Sequence, residues 1–342
     1  MIKILAITDD VGSNYHRVQL PLKYFNTEEF DINYRPLKMG PLTYEEVEGI
    51  DILFFNWTLA NFPAHLAVLK NKYKFKIVMD MDDHWDISNN HPSYHAILQY
   101  LPRLKDFLIV ADHLICTTNN LRDKLLEYNE NVTVIPNRIP YGDLQFNVEA
   151  PKKRDKIRIG FIGSISHLPD WMSIKKDIDR IMNDKKITDN CEFVVCGYND
   201  INEYSKNVWL RIIGLFKGKA RVFRTRDIDT YMHLYNEADI VLAPLVENGQ
   251  NKAKSELKVL ETACKGAIIL GSEMYKDKLN YEGLILTDDE ASYYKWVKKL
   301  VEIKDELPEF IAKKCNKIME QHPFKPVVEA RQELFKQIKN EL

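Results

Sequence analysis

The sequence predicts an α/β protein built as two Rossmann-like, doubly wound domains that face a cleft. Three observations predict it. Short apolar runs of strand length recur along the whole chain. Stretches with helical spacing separate them, as a parallel sheet covered on both faces requires. A proline-bearing, charged stretch from Pro136 to Asp155 divides two such series. With 342 residues the chain is long enough for two domains of ordinary size.

In the first series, strands are expected at Ile2–Ile7, Ile50–Phe55, Phe75–Met79, His113–Thr117 and Val132–Ile135. Helices are expected at Tyr15–Phe25, Ala60–Tyr73, Tyr94–Ile109 and Asn119–Tyr128. Ligands of such sheets bind beyond the carboxyl ends of the strands, so the residues directly after each strand are the candidates. After the first strand, Gly12 and Ser13 let the backbone turn closely. His16 and Arg17 then fall in a first helical turn, where an anion docks; an ordinary loop with surface charges is the alternative. Trp57 follows the next strand, placed to stack on a sugar or base or to sit at a rim. Then Asp80, Asp82, Asp83, His84 and Asp86 crowd seven positions. Three readings compete: Asp82 or Asp83 as a base or hydroxyl anchor, a metal site with His91 and His95, or a solvated acidic loop. Thr118 or Asn119 is expected to cap the helix that follows.

In the second series, strand Ile157–Ile162 runs into GFIGSISHLPDW. Gly160, Gly163 and Ser164 allow close backbone approach to a ligand, or mark close strand–helix packing. His167 follows as a contact or a structural histidine, and Asp170 is expected to cap a helix through Arg180. Strands are expected at Cys191–Cys196, Ala220–Phe223 and Asp239–Ala243, with helices at Asn202–Phe216 and Asp227–Asn236. Arg224 and Arg226 fall at a strand end, as phosphate contacts or surface arginines. A helix from near Ser255 to Gly266 then precedes strand Ala267–Leu270. On it Lys254, Lys258 and Glu261 share one stripe. That suits phosphate oxygens and sugar hydroxyls, or an internal Lys–Glu pair on a solvated face. Three tail helices are expected, at Glu290–Val301, Pro308–Gln321 and Pro326–Leu342.

Composition narrows the function classes. The 48 basic and 50 acidic residues give a net charge of −2, with no bulk signature of polyanion binding. Five cysteines without a CxxC pair read as free buried thiols of a reducing compartment. MIKILAI enters a strand directly, and no apolar run approaches the ~20 residues that span a bilayer. A cytoplasmic protein is expected.

The run KSELKVLETACKGAIIL resembles the donor-site segment of GT-B glycosyltransferases, family 4 in particular. TDDVGSNYHRVQLP, MDMDDHW, VTVIPNRIP, GSISHLPD and YNEADIVLAPL resemble further segments of that family. The resemblance implies transfer of a sugar from a nucleotide diphosphate sugar to a hydroxyl, with retention of configuration and no cofactor or metal. It implies residues 1–150 as the acceptor side, 151–322 as the donor side, and a final helix, 323–342, crossing back onto the first domain. Asp82, Asp83 and His167 would be catalytic. Gly163, Ser164, Arg224, Lys254, Ser255, Lys258 and Glu261 would hold the donor, Glu261 on its ribose. Gly12, Ser13, Arg17 and Trp57 would touch the acceptor or phosphate. Two departures stand out: Ala253 replaces the family's first glutamate, and Arg138 replaces a glycine. With Ala253, Lys252 or Lys254 becomes the candidate contact to sugar or phosphate. A glycan, lipid-linked or small-molecule acceptor is expected, and modified DNA has no support from net charge. A phosphorylase, an epimerase and a non-catalytic nucleotide- or sugar-binding protein are the competing readings.

Overall fold

The computed structural model describes residues 1–57, 59–275, 285–287 and 292–340. Glu290 and Ala291, at the start of one expected tail helix, lie outside the described residues, as do Glu341 and Leu342 at the end of another.

Two six-stranded parallel sheets carry the fold. The first contains β1 (Ile2–Thr8), β2 (Phe30–Pro36), β3 (Ile52–Asn56), β4 (Lys76–Met81), β5 (His113–Cys116) and β6 (Val132–Val134), in the order β2-β1-β3-β4-β5-β6. The second contains β7 (Ile157–Ile162), β8 (Cys191–Tyr198), β9 (Ala220–Arg224), β10 (Ile240–Ala243), β11 (Ile268–Ser272) and β12 (Ile285–Thr287), in the order β12-β11-β10-β7-β8-β9. Their central strands are buried on both faces, which is why they read as unbroken apolar runs rather than alternating ones. Gly160 is required in β7: a Cβ there would sit 1.8 Å from the Val194 carbonyl oxygen of β8.

The last helix, Lys325–Asn340, returns to the first sheet. Its Val328, Leu334, Phe335 and Ile338 are buried in one apolar cluster with Ile4, Val18, Phe54 and Ile115. Arg331 on the same helix is buried and donates to the Arg17 carbonyl at 2.7 Å and to Asp80 Oδ2 at 3.2 Å. The two sheets are also joined through their cores, since Tyr15 and Leu20 of the first half pack in the cluster around β7 and β8.

Several expected elements need correction. The helix after β1 covers residues 12–22 and carries a π turn over Tyr15–Gln19. Asp170 caps nothing; it lies inside a helix, Leu168–Ser173, and a second helix, Lys175–Asn183, follows. The helix expected from near Ser255 is present over Leu257–Cys264, and an unexpected short one, Gly249–Ala253, precedes it, capped by Asn248 accepting from the Asn251 N–H. Lys254 therefore sits between two helices rather than on the stripe of Lys258 and Glu261. Asp227–Asn236 forms only a 3-10 helix, Tyr231–Glu237. Thr118 does cap the helix Asn119–Leu125, accepting from the Leu121 N–H at 3.3 Å.

Candidate active site

Each sheet reverses its winding once. The first does so between β1 and β3, the second between β7 and β10. Ligands of open α/β sheets bind in the crevice that such a reversal leaves. The two crevices open onto one cavity of about 540 Å³. From the first sheet come Ser13 after β1, Trp57 after β3, and Asp82 and Asp83 after β4. From the second come Ser166 and His167 after β7, and Gln250 and Lys254 after β10. Ala96, Ile97, Tyr100 and Leu104 of the helix Tyr94–Val110 give one wall an apolar surface.

Asp82 is the most perturbed acid in this cavity. Burial, then the charge of Asp83, push its carboxyl up to about 7, against the pull of a Trp57 hydrogen bond. The Trp57 indole N–H donates to Asp82 Oδ1 at 2.7 Å. Trp57 makes that bond from a left-handed backbone, φ 57°. Such a conformation in a bulky residue is strained by ~1–3 kcal/mol and persists only where the surroundings enforce it. Here Trp57 N–H is tied to the Asp80 carbonyl at 3.1 Å. A carboxyl that titrates near neutrality at a cavity wall can take or give a proton at physiological pH.

Opposite lies a neutral histidine between cations. His167 Nδ1 is 2.9 Å from Asp170 Oδ2. Burial, Lys254 and Lys258 push the imidazole down to about 3, although Asp170 pulls it up. Burial pushes Asp170 up, but the His167 bond and the Lys254 charge more than offset that, so its carboxyl lies below the usual range. Nδ1–H therefore donates to an ionised Asp170, and Nε2 remains an acceptor. Asp170 is held in turn by the Val246 N–H at 2.8 Å and Asn251 Nδ2 at 3.0 Å. Lys258 Nζ donates to the Ile162 carbonyl at 2.6 Å, at the carboxyl end of β7. Burial pushes it down to about 8, with Glu261 opposing and Lys254 adding to the shift. Gly163 makes room for it: a Cβ there would lie 3.0 Å from Lys258 Nζ and 3.3 Å from the His167 ring. Lys254 on the cavity lining, with Lys258 behind it beside Gly163, gives this end of β7 a cationic character suited to an anion.

The remaining candidates fall elsewhere. Arg17 is 1% exposed and offers a ligand nothing. Its guanidinium grips Asp80 at 2.7 and 3.0 Å and Asn137 at 3.0 Å, so it is a structural ion pair rather than a phosphate contact. Ser255 Oγ accepts from Asn137 Nδ2 at 2.8 Å and extends that network instead of lining the cavity. Arg224 lies on edge strand β9, paired with Asp200 at 2.7 Å, away from the cavity lining. Glu261 is buried, and its oxygens accept from Tyr231 and from Tyr235, the latter at 2.5 Å, with His16 at 3.4 Å. Its carboxylate locks the two halves together where a ribose contact is expected. Gly12 and Ser164 are not among the cavity-lining residues, though their neighbours Ser13 and Ser166 are. Ala253 is buried against the first core, and its carbonyl accepts from Thr118 Oγ1 at 2.9 Å. Of the two lysines beside it, Lys252 pairs with Glu247 in solvent and Lys254 faces the cavity. Arg138 forms a partly buried ion pair with Glu256. Among the described residues no three His, Cys, Asp or Glu side chains converge as a metal site would require.

Two contributors have no site role assigned from the sequence. Gln250 reaches across to Asp83 at 3.4 Å, and its N–H donates to the Asp86 carbonyl at 2.8 Å. Asp170 reads as a helix cap, yet it orients His167. Both depend on the short helix Gly249–Ala253 and its preceding turn, which the sequence presents as a polar loop.

No protein-family model and no curated protein matches the sequence. Solved structures do match the fold. Sucrose-phosphate synthase from Thermosynechococcus elongatus aligns over 100% of both chains, with TM-score 0.71 and 12% identity. HepE from Anabaena, in complex with UDP-glucose, aligns over 100% of both chains, with TM-score 0.68 and 10% identity. A trehalose-phosphate synthase from Burkholderia xenovorans covers 99% of each chain, with TM-score 0.63 and 11% identity. Two parallel sheets with facing switch points and a last helix crossing back give this chain the GT-B fold of those glycosyltransferases.

Proposed function

We propose that the protein transfers a glycosyl group from a nucleotide diphosphate sugar to an acceptor hydroxyl. The observation that carries this reading is the pairing, across one cavity, of a carboxyl that titrates near neutrality with Lys254 and a neutral histidine, Lys258 lying behind them at the end of β7. The fold shared with nucleotide-sugar glycosyltransferases supports it. In this reading residues 1–150 hold the acceptor, residues 151–322 hold the donor, and the segment from 323 on, with its helix Lys325–Asn340, fixes them together.

Lys254 and Lys258 bind the diphosphate, beside the backbone of Gly163 and Ser164. Negative charge grows on the diphosphate as it departs, and cations fixed beforehand stabilise that charge at no cost in reorganisation. His167 Nε2 accepts from a sugar hydroxyl. Asp82, with Asp83 beside it, orients the incoming hydroxyl. The acceptor oxygen then bonds to the anomeric carbon while the bond from that carbon to the diphosphate oxygen breaks. The bonding pair leaves with the diphosphate. The resemblance to family 4 supports retention, in which the hydroxyl proton leaves on the diphosphate and Asp82 positions. An inverted product would make Asp82 the base. No metal or cofactor enters the scheme. Five buried, unpaired cysteines support a cytoplasmic setting, and no helix among the described residues is long and apolar enough to cross a membrane.

The test is a thermal-shift and calorimetric panel of nucleoside diphosphates and their sugars, followed by NMR of the product anomer. The reading requires saturable binding of at least one nucleotide sugar and its turnover. Absence of binding across the panel sinks it. Binding without transfer or hydrolysis would select a non-catalytic role instead.

A further inference from the structure

The cavity divides its charge unevenly. The wall contributed by the first sheet carries the carboxylates of Asp82 and Asp83 and no lysine or arginine among its described lining residues. Basic side chains near that wall are engaged elsewhere. Arg17 is buried on Asp80. Arg103 Nη2 donates to the carbonyls of Leu59, Ala60 and Asn61 at 2.6–2.9 Å. His91 lines the cavity, and burial followed by the Lys254 charge holds it below the usual histidine range. Its Nδ1 accepts from the Ser93 N–H at 3.0 Å, so a neutral ring presents Nε2–H as a donor. Lys254 is the one cation lining the cavity among the described residues, and it comes from the opposite side.

Carboxylates accept from hydroxyls and repel phosphate and carboxylate groups. An anion placed on this wall would meet the Asp83 charge and a partly ionised Asp82, with no counter-charge from its own side. The same wall continues onto Ala96, Ile97 and Leu104, a surface that gains by covering an apolar face and gains nothing from a solvated ion. We infer that the acceptor group entering this cavity is an uncharged hydroxyl compound with one apolar face, of the kind an alkyl or aryl glycoside presents, and bears no phosphate or carboxylate. This rests on the glycosyl-transfer reading and specifies its acceptor.

The experiment uses the whole chain, the nucleotide sugar that stabilises it most, and matched acceptors: octyl glucoside, 4-nitrophenyl glucoside, glucose, glucose 6-phosphate and glucuronate. The expected order of kcat/KM places the glucosides first and both anions last. The gap between glucose and glucose 6-phosphate should reach about thirtyfold, as one like charge ~8 Å away gives at an effective dielectric of ~20. Asp83→Asn should narrow that gap, because it removes one repelling charge and keeps the shape. Equal or better transfer to glucose 6-phosphate overturns the inference and leaves the glycosyl-transfer reading intact. Donor binding with no transfer to any of the five also overturns it. Failure to bind any nucleotide sugar removes the reading beneath it, and the inference falls with that reading.

Discussion

Asp82→Asn should make the protein more stable at alkaline pH while impairing its activity. The folded state pushes the Asp82 carboxyl up from an ordinary 3.8 to about 7, by burial first and the Asp83 charge second. Because the folded pKa exceeds the unfolded one, the folded protein holds the extra proton between about pH 4 and 7. Stability therefore falls as pH rises through that window, and the full penalty is present above it. At ~1.4 kcal/mol per pH unit, the penalty reaches at most ~4 kcal/mol. Water reaches part of the side chain and Asp83 shares the repulsion, which brings the expected gain on neutralisation to ~2 kcal/mol. Asparagine keeps the shape and an oxygen for the Trp57 indole, so little is lost in return. In a domain of this size that corresponds to a Tm increase of ~4–8 °C at pH 8.5, and to about a third of that at pH 5. Thermal unfolding of the two proteins at both pH values measures it. A variant no more stable than the parent at pH 8.5 would refute the claim that a destabilised carboxylate is held at this wall.

Trp57→Phe removes the indole donor and keeps the ring. Asp82 should then titrate above 7, and the limb of the kcat/KM profile that reports it should move to higher pH; an unmoved limb would disconnect Asp82 from turnover. Arg17→Met should lower stability in urea by ~3 kcal/mol or more, because it leaves Asp80 buried with, among the described residues, Arg331 as its remaining cation. A stable variant that has lost ligand binding would restore Arg17 as a contact. Gly197→Ala should weaken both stability and donor binding. Gly197 has φ +105°, and a Cβ there would lie 2.0 Å from the Gly163 carbonyl oxygen, forcing the loop beside Lys258 to move. Normal stability and donor affinity in that variant would show that the loop geometry is not needed.

What the sequence made legible follows burial. Strands covered on both faces announce themselves as apolar runs, so the central strands of both sheets could be placed within a residue or two. Edge strand β2 has the mixed pattern FDINYRP, with Asp31, Asn33 and Tyr34 turned partly or fully to solvent, and it gives no such run. Three-residue β12 is too short to register. At the site, the residue type was legible and the partner was not. Arg17 and Glu261 have the chemistry of ligand contacts, and only the fold reveals that Asp80, Tyr231 and Tyr235 already occupy them. Asp82 shows the reverse: the sequence leaves it open as a base, a metal ligand or part of a solvated loop, and its position beyond β4 with the Trp57 indole on its carboxyl gives it the surroundings of a titrating group. Helical spacing puts Lys254 and Lys258 on one stripe; they converge near His167 from two different helix ends.

Calorimetric titration of the matching nucleoside diphosphate into the parent protein, Lys254→Ala and Lys258→Met tests the central claim most directly. A charge-assisted contact contributes ~1.5–3 kcal/mol, so each variant should bind more than about tenfold more weakly with its fold intact. Unchanged affinity in both variants would contradict the account and move the anion away from the end of β7.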